Sequence, residues 1–339
     1  MGLAAALDRV VDRLEGWDAS DAVSDAVSRA VRGLVPAGRA ENLASGTPLA
    51  HPLHPVLVGV PIGTWTAVPV LDALAADDQT TRRVVGLGLL AAVPTAYTGI
   101  ADWLTTSGAE RRVGLVHALA NSGALVLQTA SWQARRTGAR GRGAALSLAA
   151  LALTGVAGWL GGHLAYALGV GVDTTVFQHL PPDWTDTVAE SEVTDGLTRC
   201  DVGGVPIVIF RVDGRIVALA DRCTHRGGPL HEGELADGCI TCPWHGSVFD
   251  ADGLVRSGPA TRPQPSLETR VVNGRVQMRW PTQRTLRTNP VGAQLRSETE
   301  QSSWRSLRRC LAEIEDDIAR LYLDGPDKEP QSELRAGTN

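Results

Sequence analysis

Two short cysteine–histidine runs, Cys223-Thr224-His225 and Cys242-Pro243-Trp244-His245, carry donor atoms suited to metal chemistry. Each joins a thiolate to an imidazole at a spacing that one tight loop can aim at a single point, and 16 residues separate the runs. Two loops therefore deliver four ligands to one centre. Cys239 adds a C-x2-C to the second run, so tetrahedral zinc is the competing use of these side chains. Five candidates are one too many for tetrahedral zinc, whereas one cysteine and one histidine per loop leave Cys239 spare. Cys239, Cys200 and Cys310 then read as ordinary apolar side chains, and His231, outside both runs, as a surface residue.

The elements that must hold such loops are short strands. Runs rich in β-branched residues at 205–212 and 215–220 flank Asp213-Gly214, and runs at 269–272 and 275–280 flank Asn273-Gly274; both are hairpin patterns. They place an all-β module at 187–281, after a break at Pro181-Pro182. Within it, C-x-H and C-x2-H are followed by Gly227-Gly228 and by Gly246-Ser247-Val248-Phe249-Asp250, with Gly258-Pro259-Ala260 further on. This set resembles a Rieske iron–sulfur domain. The resemblance implies a [2Fe–2S] cluster with Cys223 and Cys242 on one iron and His225 and His245 on the other. It also implies that the two imidazoles are exposed as the exit for electrons. High-potential members carry an additional cysteine in each loop, joined as a disulfide, and a tyrosine hydroxyl near a cysteine sulfur. Here Gly228 follows His225-Arg226-Gly227, Pro243 and Trp244 stand between Cys242 and His245, and Phe249 takes the tyrosine position, while Ser247 is retained. The resemblance therefore implies a midpoint in the lower part of the roughly −150 to +300 mV range. The only histidines after residue 163 are His179, His225, His231 and His245. They leave no mononuclear iron site of the terminal-oxygenase kind, so the expectation is an electron-transfer component rather than a complete enzyme.

The chain has 339 residues and 35.8 kDa, enough for two or three domains. Its net charge is −5, and its 32 cationic side chains, all arginine except Lys328, form no broad basic footprint for nucleic acid. Five cysteines argue against a disulfide scaffold. A mean hydropathy of −0.03 conceals four stretches without Asp, Glu, Lys or Arg: 42–71, 84–101, 113–134 and 143–172. Each meets the roughly 17–25 residues of a transmembrane helix. Spans are expected at about 53–72, 84–103, 113–133 and 145–169 of a membrane domain at 45–173. An even number of spans puts both ends on one side. Residues 1–35 carry acids throughout and no apolar core, so no cleavable leader is expected. In the region 1–44, Leu3, Leu7, Val10, Leu14 and Trp17 recur at helical spacing, predicting amphipathic helices on the membrane surface or against another domain.

The stretch His51-Pro52-Leu53-His54-Pro55, with Pro61, Trp65, Asp102-Trp103, His117 and Gly161-Gly162-His163, resembles a four-helix bacterial membrane domain of unknown function. That resemblance implies topology, not chemistry. Counting residues from the arginine-bearing loops puts His51, His54, Asp102, His117 and His163 toward the membrane face that carries the β module. They are candidates for a b-type haem site, a quinone pocket or interfacial structure. Arg82, Arg83, Arg135, Arg136, Arg140 and Arg142 outnumber Arg39, Arg111 and Arg112, which places the β module outside the cytoplasm by charge. Cluster assembly favours the opposite, and the expectation leans to the cytoplasmic side of a plasma-membrane, multi-pass protein.

The tail, 282–339, is polar with a heptad-like helix at 303–323, where Trp304, Leu307, Leu311, Ile314, Ile318 and Leu321 form a seam. It would dock on its own protein or make a homodimer contact through 304–321. The expected fold is thus an N-terminal all-α four-helix transmembrane bundle, a C-terminal all-β Rieske domain and a short amphipathic helix. The expected function is membrane-anchored one-electron transfer with a quinone, haem or partner oxidoreductase such as a reductase. The alternative is a redox-sensing or structural Rieske module that regulates a bundle acting as a small-solute carrier.

Overall fold

A computed structural model of the chain describes residues 2–281. The heptad-like seam, Cys310 and the rest of the tail lie outside the described residues. Eight helices come first: α1 (Leu3–Glu15), α2 (Asp21–Val31), α3 (Arg39–Ser45), α4 (His54–Leu57), α5 (Gly59–Ala73), α6 (Asp78–Leu104), α7 (Gly108–Arg136) and α8 (Arg140–Tyr166). Among the described residues, four apolar helices are long enough to cross a membrane: His54–Ala73, formed by α4 and α5 end to end, then α6, α7 and α8. α6 and α7 run past their charge-free windows at both ends, because their ends carry the charged loop residues, whereas α8 begins with Arg140 just before its window and ends at Tyr166, short of the window's end at 172.

Inside the bundle many of the buried positions are small or polar, such as Gly88, Thr95 and Thr98 of α6 and Gly143, Ser147 and Thr154 of α8, beside larger ones such as Trp65, Val85 and Leu160. Leu87, Leu90, Val93, Leu119 and Val126 face outward. This inversion suits helices in lipid, where close backbone packing replaces the hydrophobic drive.

The two hairpins α4–α6 and α7–α8 repeat one plan. His54 Nδ1 donates to the Thr95 carbonyl at 3.0 Å and packs on Gly99; His117 Nδ1 donates to the Ala157 carbonyl at 2.8 Å and packs on Gly161. Trp65 donates to the Val85 carbonyl, and Ser147 donates to the Gln128 side chain. In the first helix of each hairpin the matched residues His54/His117, Trp65/Gln128 and Asp72/Arg135 lie 63 positions apart. In the second helix Thr81/Gly143, Val85/Ser147, Thr95/Ala157 and Thr98/Leu160 are buried in register 62 apart. Both first helices end on a left-handed residue, Ala75 at φ 56° and Gly138 at φ 76°. In both ends, the next N–H reaches back to close the turn, Ala76 to Leu71 and Ala139 to Ala134. At that end Asp72 meets Arg135 at 2.6 Å, so matched positions of opposite sign pair across the bundle.

The N-terminal helices lie against α7. Arg111 pairs with Asp25 at 2.9 Å, and Arg112 pairs with Asp21 and Asp18. α2 turns Ser24 and Ser28 inward and Val23 and Val27 outward, and Ser20, just before it, is buried as well. α1 buries Val11, while Val10 and Trp17 of the predicted stripe stay exposed.

The β module has ten strands: β1 (Thr185–Ala189), β2 (Thr198–Val202), β3 (Val205–Val212), β4 (Arg215–Ala220), β5 (Glu234–Ala236), β6 (Cys239–Thr241), β7 (Val248–Asp250), β8 (Val255–Ser257), β9 (Ser266–Val272) and β10 (Arg275–Arg279). They form a six-stranded antiparallel sheet, β1-β10-β9-β4-β3-β2, and a four-stranded one, β5-β6-β7-β8. Asp213-Gly214 and Asn273-Gly274 both take positive φ at the two turn positions, which matches the twist of the flanking strands. Phe210, Leu219, Leu230, Ile240 and Phe249 fill the core on which the cysteine-bearing loops rest.

Candidate metal centre

The two loops share one backbone design. In the first, between β4 and β5, the Cys223 N–H donates to the Gly228 carbonyl at 2.9 Å, and the Gly227 N–H returns to the Cys223 carbonyl at 2.8 Å. In the second, between β6 and β7, the Cys242 N–H donates to the Ser247 carbonyl at 2.8 Å, and the Gly246 N–H returns to the Cys242 carbonyl at 3.0 Å. Each loop turns back at a glycine with positive φ, Gly227 at 78° and Gly246 at 72°, where a side chain would be strained.

The turns bring all four sequence-predicted donors together as two pairs. Cys223 and Cys242, both buried, hydrogen-bond to each other. His225 and His245 stand edge to face with ring centres 5.0 Å apart. Among the described residues, no three His, Cys, Asp or Glu side chains gather around a single-ion position. A cysteine pair beside a histidine pair fits a two-iron cluster better than one tetrahedral ion.

The environment is tuned for ligation. Backbone N–H groups of His225 and Arg226 point at the Cys223 sulfur, and those of Trp244 and His245 at the Cys242 sulfur. The hydrogen bond from Cys223 and these N–H groups push the Cys242 thiol below its ordinary range, while Cys223 is held above it by that same bond and by burial. Burial, with His245 and Arg226 nearby, lowers His225 to about 3; burial and Arg226 also lower His245. Both imidazoles thus stay neutral and keep a lone pair for a metal. His225 Nδ1 is enclosed with no hydrogen-bond partner among the described residues, which fits a nitrogen meant for iron.

Gln264, which motif reading missed, and Ser247, which it named, hold this geometry. Gln264, buried under the first loop, accepts from the Thr224 N–H at 3.1 Å and donates to the Ala220 and Arg222 carbonyls. The Ser247 hydroxyl accepts from the Ala260 N–H at 3.0 Å, tying the 258–260 loop to the second loop. At Gly228 an added Cβ would lie 2.8 Å from Cys242 Sγ and 3.0 Å from the Trp244 ring. His231 is not a free surface imidazole: its Nδ1 meets the buried Asp221 carboxylate at 2.7 Å. Cys239 and Cys200 stand apart from the centre, and no disulfide forms among the described residues.

The tip is partly covered, so His225 and His245 are half-buried rather than fully exposed as the sequence implies. His245 is hydrogen-bonded to the Thr105 backbone after α6, and Arg226 pairs with Glu110 of α7. Asn42 of α3 accepts from the Gly258 N–H at 2.6 Å, and Thr47 donates to the Ala260 carbonyl at 3.0 Å. Thr174, on the strap between α8 and β1, donates to the Cys223 carbonyl at 2.7 Å. Motifs alone carry no signal for these contacts, because the polar residues that make them are scattered singly along the chain.

The five membrane-domain candidates share this end of the bundle and split into separate environments. His51 and Asp102 line a cavity with His225. His54 is held by α6, and His163 is held by Glu15 at 2.8 Å. His117 has both ring nitrogens engaged, Nδ1 by Ala157 and Nε2 by the Asn121 amide at 3.1 Å.

Comparisons with known proteins follow the same division. Residues 183–270 match the Rieske [2Fe-2S] domain family, and residues 50–174 match DUF2231, a predicted membrane protein family. The chain is 33% identical over 98 residues to the anthranilate 1,2-dioxygenase ferredoxin subunit of Burkholderia cepacia, which covers 28% of this chain and 91% of that protein. It is 35% identical over 96 residues to Ferredoxin CarAc of Metapseudomonas resinovorans, covering 27% and 90%. A solved complex of reduced oxygenase and oxidized ferredoxin in carbazole 1,9a-dioxygenase contains a chain 31% identical, covering 30% of this chain and 97% of that one, with a TM-score of 0.28.

Proposed function

The chain belongs to the Rieske [2Fe-2S] proteins, with that module joined to a DUF2231 membrane domain, and from that premise we propose that it is a membrane-anchored one-electron carrier. The proposal assigns Cys223 and Cys242 to one iron and His225 and His245 to the other. A cluster held in this way supplies reversible one-electron chemistry. The protein's own residues do the rest. The N–H groups at 225, 226, 244 and 245 stabilise sulfur charge. Gln264 and Ser247 keep the loops at a fixed separation. Thr105, Glu110, Asn42 and Thr47 hold the imidazole-bearing tip against the end of the bundle.

The observation that carries the reading is the pairing of two buried thiols that accept N–H bonds with two neutral imidazoles, one of them with an unpartnered buried nitrogen. That two matched relatives are ferredoxins supports transfer rather than terminal catalysis. Purified full-length chain is expected to hold two irons and two acid-labile sulfides and to give the reduced-state EPR signal of a Cys2His2 centre. A colourless anaerobic preparation with one bound zinc overturns the proposal.

The carrier is placed in the plasma membrane with the module on the cytoplasmic side, where clusters are assembled. Protease protection of the module in sealed inside-out vesicles would overturn that placement. Haem ligation by the membrane histidines finds little support in the geometry, because His117 and His163 are already hydrogen-bonded. The electron partner is then a quinone, a haem protein or a reductase that reaches the module near the bilayer.

A further inference from the structure

We propose that the outer face of α2, with Trp17 and Leu34 at its two ends, docks on the lipid bilayer and makes the N-terminal helices an interfacial collar beside α6 and α7. This docking needs the membrane domain alone and nothing of the cluster.

α2 is turned inside out for a helix in water. Ser24 is fully buried and Ser28 nearly so, whereas Val23 is 55% exposed. Ala22, Val23, Ala26, Val27 and Ala30 are all exposed, and at about 3.6 residues per turn they share one face. No charge interrupts that face. Asp21 and Asp25 stand on the opposite edge, where they pair with Arg112 and Arg111 of α7, and Arg29 follows Asp25 by one turn. Trp17 and Leu34 flank the helix, 49% and 56% exposed. Single exposed apolar side chains are ordinary in water, but an uncharged face opposite buried serines calls for an apolar medium outside.

Depth decides what that medium is. Val31, at the end of α2, and Val35 cluster with Tyr97, Ile100, Ala101 and Leu104 of α6. Leu104 ends that helix, and Tyr97 lies about 10 Å further into the span. The arginines that hold the start of α2 belong to the first turns of α7, and Leu119, two turns on, already faces outward. α2 therefore lies at the boundary level, where an amphipathic helix sinks its apolar face about 5–10 Å below the headgroups. Its outer face continues the outward apolar surface of the spans, and Trp17 suits the same layer. Because that face is uncharged, its contact is with acyl chains rather than with anionic headgroups. α3 continues the collar, and its Asn42 accepts from the Gly258 N–H, so the lipid-docked helices also carry one support of the β module.

The test uses the full-length chain in phosphatidylcholine vesicles, with and without phosphatidylglycerol. Val23→p-benzoylphenylalanine and Val27→p-benzoylphenylalanine place a photo-crosslinking ring on the outer face, and the same change at Arg215, exposed at the start of β4, gives the comparison. Irradiation is expected to add the mass of one phospholipid at 23 and 27 at least five times as often as at 215, with yields equal within twofold in the two vesicle types. Circular dichroism reports whether each variant folds, and the two positions stand in for each other should one disturb the helix. Crosslinks to a second copy of the chain in place of lipid, or lipid adducts no more frequent than at 215, overturn the collar. A yield that collapses without phosphatidylglycerol overturns docking on acyl chains.

Discussion

At Gly228 and Phe249, single side chains decide what the centre can be. A Cβ at position 228 would press on Cys242 Sγ at 2.8 Å and on the Trp244 ring, so the Trp244 ring occupies the space that a bridging side chain from 228 would need. Gly228→Ala must move either the sulfur or the indole, and overpacking of this kind costs about 1–3 kcal/mol. The expected result is a chain that folds but retains less than half its iron, measured per mole of protein after desalting. Phe249 is fully buried in the same cluster as Cys223 and Cys242. Phe249→Tyr adds an O–H donor there without changing the ring. A hydrogen bond to sulfur favours the more negative, reduced state, so the midpoint should rise by tens of millivolts, where about 59 mV is a factor of ten for one electron. EPR-monitored redox titration reads this. An unchanged midpoint with the cluster intact would show that the hydroxyl does not reach sulfur.

At the scale of elements, the membrane half is two copies of one hairpin, and this repeat was not legible in the sequence. Matched positions share burial and bonding but rarely residue type: Trp65 answers Gln128, Val85 answers Ser147, Asp72 answers Arg135. Packing has been solved differently in each copy. Trp65 lies over Gly88, where a Cβ would meet its ring at 2.2 Å, whereas the smaller Gln128 leaves room for Ala150 at the matched place. The spans, by contrast, were visible as uncharged windows, and the strands at 205–212 and 215–220 were visible because Asp-Gly turns punctuate them. The repeat also makes a stability prediction. The Arg135 side chain is fully buried and its partner Asp72 nearly so, so Asp72→Asn strands a buried cation, at a cost of about 3–5 kcal/mol. The two positions are equivalent and face each other, so the exchange Asp72→Arg with Arg135→Asp restores the central pair of opposite sign, but it sets like charges against Asp78 and Arg140 at the outer contacts. Thermal unfolding in detergent should show a lower midpoint for the single variant and recovery of only part of the loss in the double exchange.

For the whole molecule, the consequence lies in how the β module meets the bundle. The cysteine–histidine runs were legible because soft ligands at fixed spacing have few other uses. Their surroundings were not, since Asn42, Thr105, Glu110 and Thr174 are ordinary polar residues until the fold brings them to the tip. The docked tip half-buries the two imidazoles, and polar contacts from Asn42, Thr47, Thr105, Glu110 and Thr174 hold it there. Asn42→Ala together with Glu110→Gln removes the acceptor of the Gly258 N–H and the charge opposite Arg226. Each loss of a partly buried hydrogen bond costs about 1–3 kcal/mol, and a contact of this size between modules is shifted appreciably by two such changes. A bulky soluble donor must reach the imidazole edge, whereas dithionite needs no such access. In stopped flow, the double variant should accept electrons from a reduced flavoprotein several times faster than the parent chain, with the dithionite rate unchanged in both. Equal rates with the flavoprotein would mean that the tip is open to proteins already, and that the contacts at Asn42 and Glu110 do not govern access.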